Sequence, residues 1–235
     1  MTCPICGGSG TRYYPREGQT DAAGECICVK RARAERRARE LREASGVSNA
    51  LFERLTFASY DPAKAVSPRC DIAAIKRTCE QFAAQPKGWL VLAGGVGGGK
   101  THLVYAIAGE LLKRAVPVYA ASVPEMLAMI RSGFSDAQGL SAEQRLATLR
   151  KIEVLVLDDW GTERRKPEEG VDWVSETLFT VLNARYNERL ATVITTNLSP
   201  VELAKRDARL ASRMLDTNLS RVLLLDAGDY RRRGG

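Results

Sequence analysis

Five short runs of apolar residues recur along the chain after residue 88: WLVLAG, VPVYAA, EVLVLDD, ATVITTN and RVLLLD. The segments between them return apolar side chains every three or four residues, which is the spacing of helices with one buried face. Continuous apolar strands that alternate with helices are typical of a parallel sheet covered on both faces. The pattern therefore predicts an α/β fold, a parallel sheet flanked by helices.

The part of the chain before the predicted sheet has a different composition. Residues 1–28 are rich in glycine, cysteine and turn residues, which predicts a short loop-like segment. From Lys30 to Glu43 the chain carries seven basic and three acidic residues without proline or glycine, and its apolar spacing predicts a helix that ends near Ser45. This helix is either a solvated linker or a surface that docks on a partner protein or nucleic acid.

Two further segments connect this helix to the sheet. Residues 51–68 are interpreted as a loop with aromatic anchors, and residues 71–85 as an amphipathic helix. The sequence is thus divided into residues 1–28, a basic linker or docking helix at 29–46, and a larger domain at 47–235 that contains the predicted sheet.

Composition narrows the class of protein. The chain of 235 residues has a formal net charge of +7, with its basic residues clustered, which favours a polyanionic partner. No stretch approaches the roughly 20 apolar residues of a membrane span, and the polar start does not fit a signal peptide. We therefore expect a cytoplasmic protein without a membrane partner, in a compartment where thiols stay reduced.

The most specific motif is GGVGGGKT, which fits the phosphate-binding pattern G-x-x-x-x-G-K-[ST] in full. An apolar strand precedes it and a helical segment follows, as the motif requires. Glycines let backbone N–H groups approach phosphate oxygens, and the start of the helix adds its positive dipole end. The predicted nucleotide-binding residues are Gly94, Gly95, Val96, Gly97, Gly98, Gly99, Lys100, Thr101 and His102.

Within this set the side chains have different expected tasks. Lys100 reaches the β- and γ-phosphates of ATP, and the Thr101 hydroxyl takes a position on Mg²⁺. His102 is the only histidine in the chain, and its place on the helix after the loop favours packing or a local hydrogen bond over catalysis.

Polar residues end two of the other predicted strands. Asp158 and Asp159 follow EVLVL, and in a parallel sheet the ligand lies at the carboxyl ends of strands. Asp158 is predicted to hold Mg²⁺, and Asp159 to orient or activate the attacking water. Asn197 ends ATVITT, where it either orients water beside the γ-phosphate or serves only turn chemistry.

Four cysteines lie within the first 28 residues, as Cys3-x-x-Cys6 and Cys26-x-Cys28. Four thiolates without a nearby histidine favour a closed structural Zn²⁺ site, although the second half departs from the usual C-x-x-C. Glycines around Cys6 suit a knuckle whose backbone N–H groups point at sulfur. A redox pair and a disulfide are the less favoured alternatives.

Together the motifs GGVGGGKT, VLVLDDWG, TTN and DARLASRM resemble the AAA+ P-loop ATPases. Within that class, residues 51–230 are similar to the helicase-loader group, which comprises the DnaC and DnaI loaders and the related IstB-type transposition ATPases. The resemblance implies a sheet with the phosphate-loop strand in the middle, and ATP bound between subunits that self-associate. It also implies an arginine supplied in trans to the γ-phosphate.

Several residues take expected roles from this resemblance alone. Arg213 is the best match to the trans arginine, Arg209 lies one helical turn earlier, and either is alternatively a surface residue. Arg231 is a weak match to a second nucleotide sensor, and Phe57 and Tyr60 lie either near the adenine or in the core. The region between the second and third core strands is predicted to form two helices, whose candidate contacts to single-stranded DNA are Arg131, Arg145, Arg150 and Lys151, with residues 164–166 as another.

The leading hypothesis is an ATPase that loads a replicative helicase of the DnaB type onto single-stranded DNA during replication. ATP, Mg²⁺ and Zn²⁺ are the expected cofactors, and the N-terminal segment is expected to engage the helicase. The alternative is an IstB-like ATPase that assists a DNA transposase on duplex DNA. A third reading is a nucleotide-gated adaptor with negligible turnover, against which Asp159, Asn197 and Arg213 argue.

Overall fold

An antiparallel hairpin stands near the head of the chain in the computed structural model, which describes residues 2–16, 19–45, 49–64, 70–135, 139–163 and 172–226. Its strands are β1 (Thr11–Arg16) and β2 (Gln19–Glu25), and Thr11 pairs with Glu25. The prediction of a loop-like segment was wrong here, because threonine and tyrosine in β1 favour extended backbone. Pro15 lies at the shift of register, where a missing N–H donor costs least.

A five-stranded sheet organises the rest of the described chain, and all its strand pairs are parallel. Along the sheet the order is β4-β5-β6-β3-β7. All five apolar runs predicted as strands are confirmed, namely β3 (Trp89–Ala93), β4 (Val118–Ser122), β5 (Val154–Trp160), β6 (Ala191–Thr196) and β7 (Ser220–Leu224). The phosphate-loop strand β3 is interior but not central, since β6 occupies the middle.

Helices connect the strands and cover the sheet, so that every residue of β3 and β6 is buried. Three of the helices begin at capping boxes, in which a serine and a glutamate or glutamine three residues later satisfy the first N–H groups. The described helices are α1 (Ile27–Ser45), α2 (Asn49–Arg54), α3 (Ile72–Ala84), α4 (Lys100–Lys113), α5 (Val123–Ser132), α6 (Ala142–Lys151), α7 (Trp173–Asn187), α8 (Pro200–Arg206) and α9 (Ala208–Met214).

The helices agree with most of the expectations from sequence. The basic helix ends at Ser45 as predicted, α3 begins at the N-cap Asp71, and the region between β4 and β5 forms two helices, α5 and α6. The segment predicted as a loop at 51–68 was partly wrong, because α2 covers its start and a 3₁₀ helix covers Pro62–Lys64. None of the helices in the described ranges is long and apolar enough to cross a membrane.

The basic helix α1 packs on the sheet domain. Arg31 donates from Nε to the carbonyl oxygen of Ala115 at 3.1 Å, and from Nη2 to that of Arg114 at 2.6 Å. Both carbonyls follow the last turn of α4, the helix that starts at the phosphate loop, where a cation also meets the negative dipole end. The N-terminal unit is therefore anchored to the far end of the phosphate-loop helix.

Candidate nucleotide site and cysteine cluster

The phosphate loop, residues 94–99, joins β3 to α4 at the carboxyl edge of the sheet. Gly94 has φ +146°, and a Cβ there would clash with the carbonyl oxygen of Leu225. Gly99 has φ +88°, and its Cβ would lie 2.7 Å from the ring of Tyr60. Only glycine fits both positions, because the backbone directly after β7 and the aromatic ring of Tyr60 press against the loop.

Lys100 opens α4 and is buried, with 5% of its surface exposed. Its Nζ donates to the carbonyl oxygens of Gly94 and Gly95 at 2.8 and 2.7 Å. The ammonium is thus held inside the loop, where the glycine N–H groups and the N-terminus of α4 favour negative charge. The Lys100 ammonium and the glycine loop, both predicted to bind phosphate, therefore lie next to each other.

Asp158 lies near the carboxyl end of β5 and faces the start of α4. Its Oδ1 accepts a hydrogen bond from Thr101 Oγ1 at 3.2 Å and from Thr195 Oγ1 at 2.5 Å. Burial raises the pKa of the Asp158 carboxyl, since desolvation disfavours the charged form, while the two hydroxyl donors lower it. The structure brings Thr101 and Asp158, the predicted Mg²⁺ ligands, into direct contact.

Asp159 has an unusual backbone. It is a non-glycine residue with φ +57°, and its N–H donates to Thr195 Oγ1 at 2.9 Å. The Thr195 hydroxyl therefore donates to one acidic residue and accepts from the next. A sequence of apolar runs gives no strand order, so only the pairing of β5 with β6 reveals this bridge.

Asn197 follows β6, which lies between β3 and β5. The Gly94 N–H donates to the carbonyl oxygen of Thr196 at 3.2 Å, so the phosphate loop and the end of β6 are adjacent. Asn197 therefore sits between the loop and the pair Asp158 and Asp159, as the sequence predicts if this strand neighbours both others. Its role toward a nucleotide remains a prediction.

His102 serves a local structural role. Its Nε2 lies 2.8 Å from the carbonyl oxygen of Thr56 and 3.1 Å from Ser59 Oγ. Its ring meets Tyr60 edge to face, 5.1 Å between centroids, and burial lowers the pKa of the imidazole. Tyr60 is buried beneath the loop, and Phe57 is half-buried against the core, so this segment braces the start of α4.

The two arginines of α9 lie against α7. Arg213 donates from Nε to Asn183 Oδ1 at 2.9 Å and from Nη1 to the Arg209 carbonyl oxygen at 2.7 Å. Both guanidinium groups stack over the ring of Phe179, at 4.3 Å for Arg209 and 4.9 Å for Arg213. Within the described chain the side-chain contacts of Arg213 are on α7 and α9 and do not include the phosphate loop.

The candidate DNA-contacting residues differ in how exposed they are and in which groups they contact. Arg145 is wrong as a phosphate contact, because it is 4% exposed and donates to the Leu140 and Met129 carbonyl oxygens and to Ser132 Oγ. It joins α6 to α5. Arg131 is exposed and stacks 4.5 Å over Trp173, and Lys151 is exposed at the end of α6. Residues 164–166 and Arg231 lie outside the described residues, while Arg150 is half-buried.

Sequence reasoning missed one ion pair beside the site. Arg206, at the end of α8, donates to Glu163 Oε1 from Nε at 3.1 Å and from Nη2 at 2.8 Å. The other carboxylate oxygen accepts the Gly161 N–H at 2.7 Å. Glu163 is 5% exposed. Its distance of 43 residues from Arg206 leaves no local sequence signal.

The four N-terminal cysteines form a cluster, with all four Sγ atoms within 4.8 Å of one another. Sγ–Sγ distances are 3.9 Å between Cys3 and Cys26 and 3.5 Å between Cys6 and Cys28. Tetrahedral Zn²⁺ with bonds of about 2.3 Å places its sulfurs about 3.8 Å apart, so the donor set fits this ion. The pairing of Thr11 with Glu25 brings the two halves together.

Backbone amides support the cluster in the way expected of a knuckle. The Gly10 and Gly8 N–H groups, together with hydrogen bonds from the Cys28 and Cys26 thiols, lower the pKa of the Cys6 thiol to about 6, and the hydrogen bond to Cys6 raises the pKa of Cys28. All four cysteines are free of disulfides. A thiolate stabilised by backbone donors is a better metal ligand than a neutral thiol.

Comparison with known proteins decides the family. The family model described as IstB-like ATP binding protein matches residues 25–234. The chain belongs to the IstB-like ATP-binding proteins. This is an AAA+ ATPase family whose members bind ATP, which implies nucleotide and Mg²⁺ at the site described above. The family resemblance and the fold expected from the sequence are both confirmed.

Relatives of this IstB-like chain include bacterial and phage-like proteins. YqaM of Bacillus subtilis strain 168, an uncharacterised protein, is 30% identical over 196 residues, which cover 81% of this chain and 59% of YqaM. The phage-like element PBSX protein XkdC of the same organism is 26% identical over 226 residues, covering 93% and 80%. The replicative helicase loader DnaI of B. subtilis is 34% identical over 115 residues, covering 48% and 34%.

Two solved structures have a similar fold. The crystal structure of DnaI is 27% identical with a TM-score of 0.59, and the match covers 79% of this chain and 95% of DnaI. The DnaC helicase loader has a TM-score of 0.60 at 23% identity, covering 76% and 100%, a likeness that shows the fold alone. The chain is homologous to these loaders, but spans only 59% of YqaM and 34% of the curated DnaI protein.

Proposed function

We propose that this IstB-like protein is an ATP-hydrolysing loader that places a replicative helicase of the DnaB type on single-stranded DNA. The observation that carries the proposal is an assembled phosphate loop, acidic pair and Asn197 on a chain homologous to the loader DnaI. The proposed setting is the cytoplasm, with subunits that associate when ATP is bound.

The site residues divide the proposed chemistry among them. The glycine N–H groups and Lys100 bind the phosphates, and the ammonium moves from its carbonyl partners to the phosphate oxygens. Thr101 and Asp158 hold Mg²⁺, which supplies charge neutralisation on the β- and γ-phosphates.

Two residues act on the attacking water. Asp159 accepts its proton or orients it, and the left-handed backbone at this residue fixes where the carboxylate starts. Asn197 holds the water or the γ-phosphate from the adjacent strand. Both residues lie at the carboxyl edge of the sheet, beside the phosphate loop.

Arg213 completes the site of a neighbouring subunit. On α9, Arg209 is exposed and Arg213 half-buried, and both stack over the ring of Phe179, an arrangement from which they can reach a neighbouring subunit. A positioned guanidinium stabilises the charge that spreads over the transferred phosphoryl group. The active unit proposed here is therefore at least two copies of the chain.

The N-terminal part is proposed to engage the helicase, with residues 1–28 as the zinc-binding knuckle and 29–46 as the docking helix before the ATPase domain at 47–235. Ile5 and Ile27 each lie between two of the clustered cysteines and are 50% and 62% exposed. Exposed large apolar residues on a rigid knuckle are suited to contact another protein. Arg131 and Lys151 are the remaining described candidates for DNA phosphates.

The test combines capture of the helicase with loading. Wild-type protein with ATP is expected to retain a DnaB-type helicase and transfer it to closed circular single-stranded DNA. The double variant Cys6→Ser/Cys28→Ser should lose helicase capture and keep ATP hydrolysis. Lys100→Ala should lose both hydrolysis and transfer. Helicase capture that survives loss of the cysteine cluster would refute the proposed division of labour.

The second candidate is an ATPase that assists a DNA transposase, and the match to the IstB-like family over residues 25–234 favours it. This function predicts ATP-dependent assembly on duplex DNA and stimulation by a transposase. Fluorescence anisotropy with duplex and single-stranded oligonucleotides of equal length separates the two. Tight duplex binding without helicase capture would replace the loader proposal with this one.

A further inference from the structure

The Glu163–Arg206 pair links two parts of the proposed active unit that belong to different ATP sites. Glu163 lies three residues after β5, which contains Asp159 and faces the subunit's own proposed nucleotide site. Arg206 ends α8, and Asp207 directly after it caps α9 by accepting from the N–H groups of Arg209 and Leu210. Thus α9, which carries the proposed trans arginines, starts two residues after Arg206, directly after its N-cap Asp207.

On the Glu163 side of the pair, hydrogen bonds fix the turn that follows Asp159. Thr162 Oγ1 donates to the Asp159 carbonyl oxygen at 2.9 Å, closing the turn that starts with the left-handed Asp159. Gly161 has φ +103°, and its N–H donates to Glu163. A displacement of Asp159 therefore moves the Glu163 carboxylate with it.

The arginine end is equally constrained. Arg206 makes two hydrogen bonds to Glu163 Oε1, and its Nη2 also donates to the Glu163 carbonyl oxygen at 2.9 Å. The carboxylate side chain is 2% exposed and the arginine side chain 23% exposed. A charge-assisted pair buried to this degree holds its geometry, since separating it leaves a charge without solvent.

We propose that Glu163 and Arg206 are positioning residues that couple the nucleotide-facing loop of one subunit to the trans arginines on its α9. Binding of ATP at Asp158 and Asp159 orders the loop, and the pair passes that order to α9 and so to the next subunit's site. The inference rests on the proposed function, because it assumes that α9 acts on a neighbour.

Hydrogen exchange on the full-length protein tests the coupling without requiring hydrolysis. With saturating Mg²⁺ and the non-hydrolysable analogue AMPPCP, wild-type protein should exchange more slowly in residues 159–163 and also in 208–214. In Arg206→Gln the loop should still be protected by the analogue, while 208–214 should lose that protection. Arg77→Gln removes one partner of an exposed ion pair on α3 and is the matched control.

Two results would overturn the proposal. One is the absence of AMPPCP-dependent protection in 208–214 of the wild type. The other is protection of 208–214 in Arg206→Gln equal to that of the wild type. Should Arg206→Gln fail to fold, Glu163→Gln and Arg206→Lys replace it, because each keeps the packing and weakens the ion pair.

Steady-state kinetics supply a second test, because a residue that only stabilises the fold would not change kcat at an unchanged KM. Arg206→Gln should lower kcat by about a hundredfold at an unchanged KM for ATP, as expected for misplacement of a catalytic group. Arg206→Lys should restore part of kcat. A wild-type chain that binds AMPPCP but hydrolyses no ATP would contradict the proposed function, and the exchange comparison would still decide the coupling.

Discussion

Thr195 connects the two acidic residues of the site through a single hydroxyl group. It donates to Asp158 Oδ1 and accepts from the Asp159 N–H. The first bond orients the carboxylate proposed for Mg²⁺, and the second holds the backbone of the residue proposed to act on water. One side chain thereby fixes the relative position of the Asp158 carboxylate and the Asp159 backbone.

Replacing Thr195 with valine keeps the shape and removes both bonds. We expect kcat for ATP hydrolysis to fall on the order of tenfold, since a hydrogen bond to a charged group contributes about 1.5–3 kcal/mol. The Mg²⁺ concentration needed for half-maximal rate should rise. A titration of the ATPase rate with Mg²⁺ measures both, and an unchanged Mg²⁺ dependence would contradict the role given to Thr195.

Thr78→Val is the matched control. Thr78 is also nearly buried, at 8% exposure, and its Oγ1 donates to the Ala74 carbonyl oxygen inside α3. This substitution should cost stability without changing the Mg²⁺ dependence, because α3 is remote from the acidic pair.

Individual site residues differed in how far the sequence could predict them. Lys100 and Asp158 could be assigned a position from sequence because each belongs to a motif that fixes its place on a strand or helix, and their roles stay predictions. Thr195 and Glu163 were missed because their partners come from other strands and helices. Arg145 was misplaced because a cation on an amphipathic helix reads as exposed, whereas here it satisfies carbonyl oxygens between α5 and α6.

At the scale of elements, the N-terminal hairpin and the cysteine cluster depend on each other. A two-stranded hairpin alone is marginally stable, and the pairing of Thr11 with Glu25 is what brings the cysteine halves together. The cysteine spacing is visible in the sequence but the hairpin is not, since period-two alternation of apolar and polar residues is absent from both strands. Metal binding and hairpin formation should therefore occur together.

Metal analysis and chelation test this dependence. The purified protein should contain one Zn²⁺ per chain, and a strong chelator should remove it with faster hydrogen exchange in residues 11–25. The double variant Cys6→Ser/Cys28→Ser should match the chelated protein, while Cys70→Ser, outside the cluster, should keep the metal. Slow exchange at 11–25 in the metal-free protein would contradict a structural role for the ion.

The anchoring of α1 is a separate element-scale feature. Arg31→Ala removes the hydrogen bonds to the carbonyl oxygens after α4, so exchange in 27–45 should accelerate while the sheet is unaffected. Arg39→Ala on the same helix is the control, because it removes equal charge from an exposed position. Equal exchange in the two variants would show that charge, and not the Arg31 contacts, holds α1.

At the scale of the whole molecule, the alternation of apolar runs and helices was enough to predict the α/β fold and its five strands. Strand order was not available from that pattern, because each run is apolar throughout and fits any interior position. The order β4-β5-β6-β3-β7 places the phosphate loop, the acidic pair and Asn197 on one edge. Arg209 and Arg213 lie on α9, and their side chains pack against α7 rather than on the phosphate loop of the same copy.

A site shared between copies predicts complementation between inactive variants. Arg213→Ala should lower kcat on the order of a thousandfold, as the loss of an arginine supplied in trans does in other nucleotide hydrolases. Lys100→Ala should be inactive because it lacks the phosphate-binding cation. In a mixture, a Lys100→Ala subunit still offers Arg213 to the intact phosphate loop of an Arg213→Ala neighbour, so hydrolysis should reappear. Activity should depend on the mixing ratio with a maximum at intermediate proportions, and a mixture no more active than its parts would mean that Arg213 acts elsewhere.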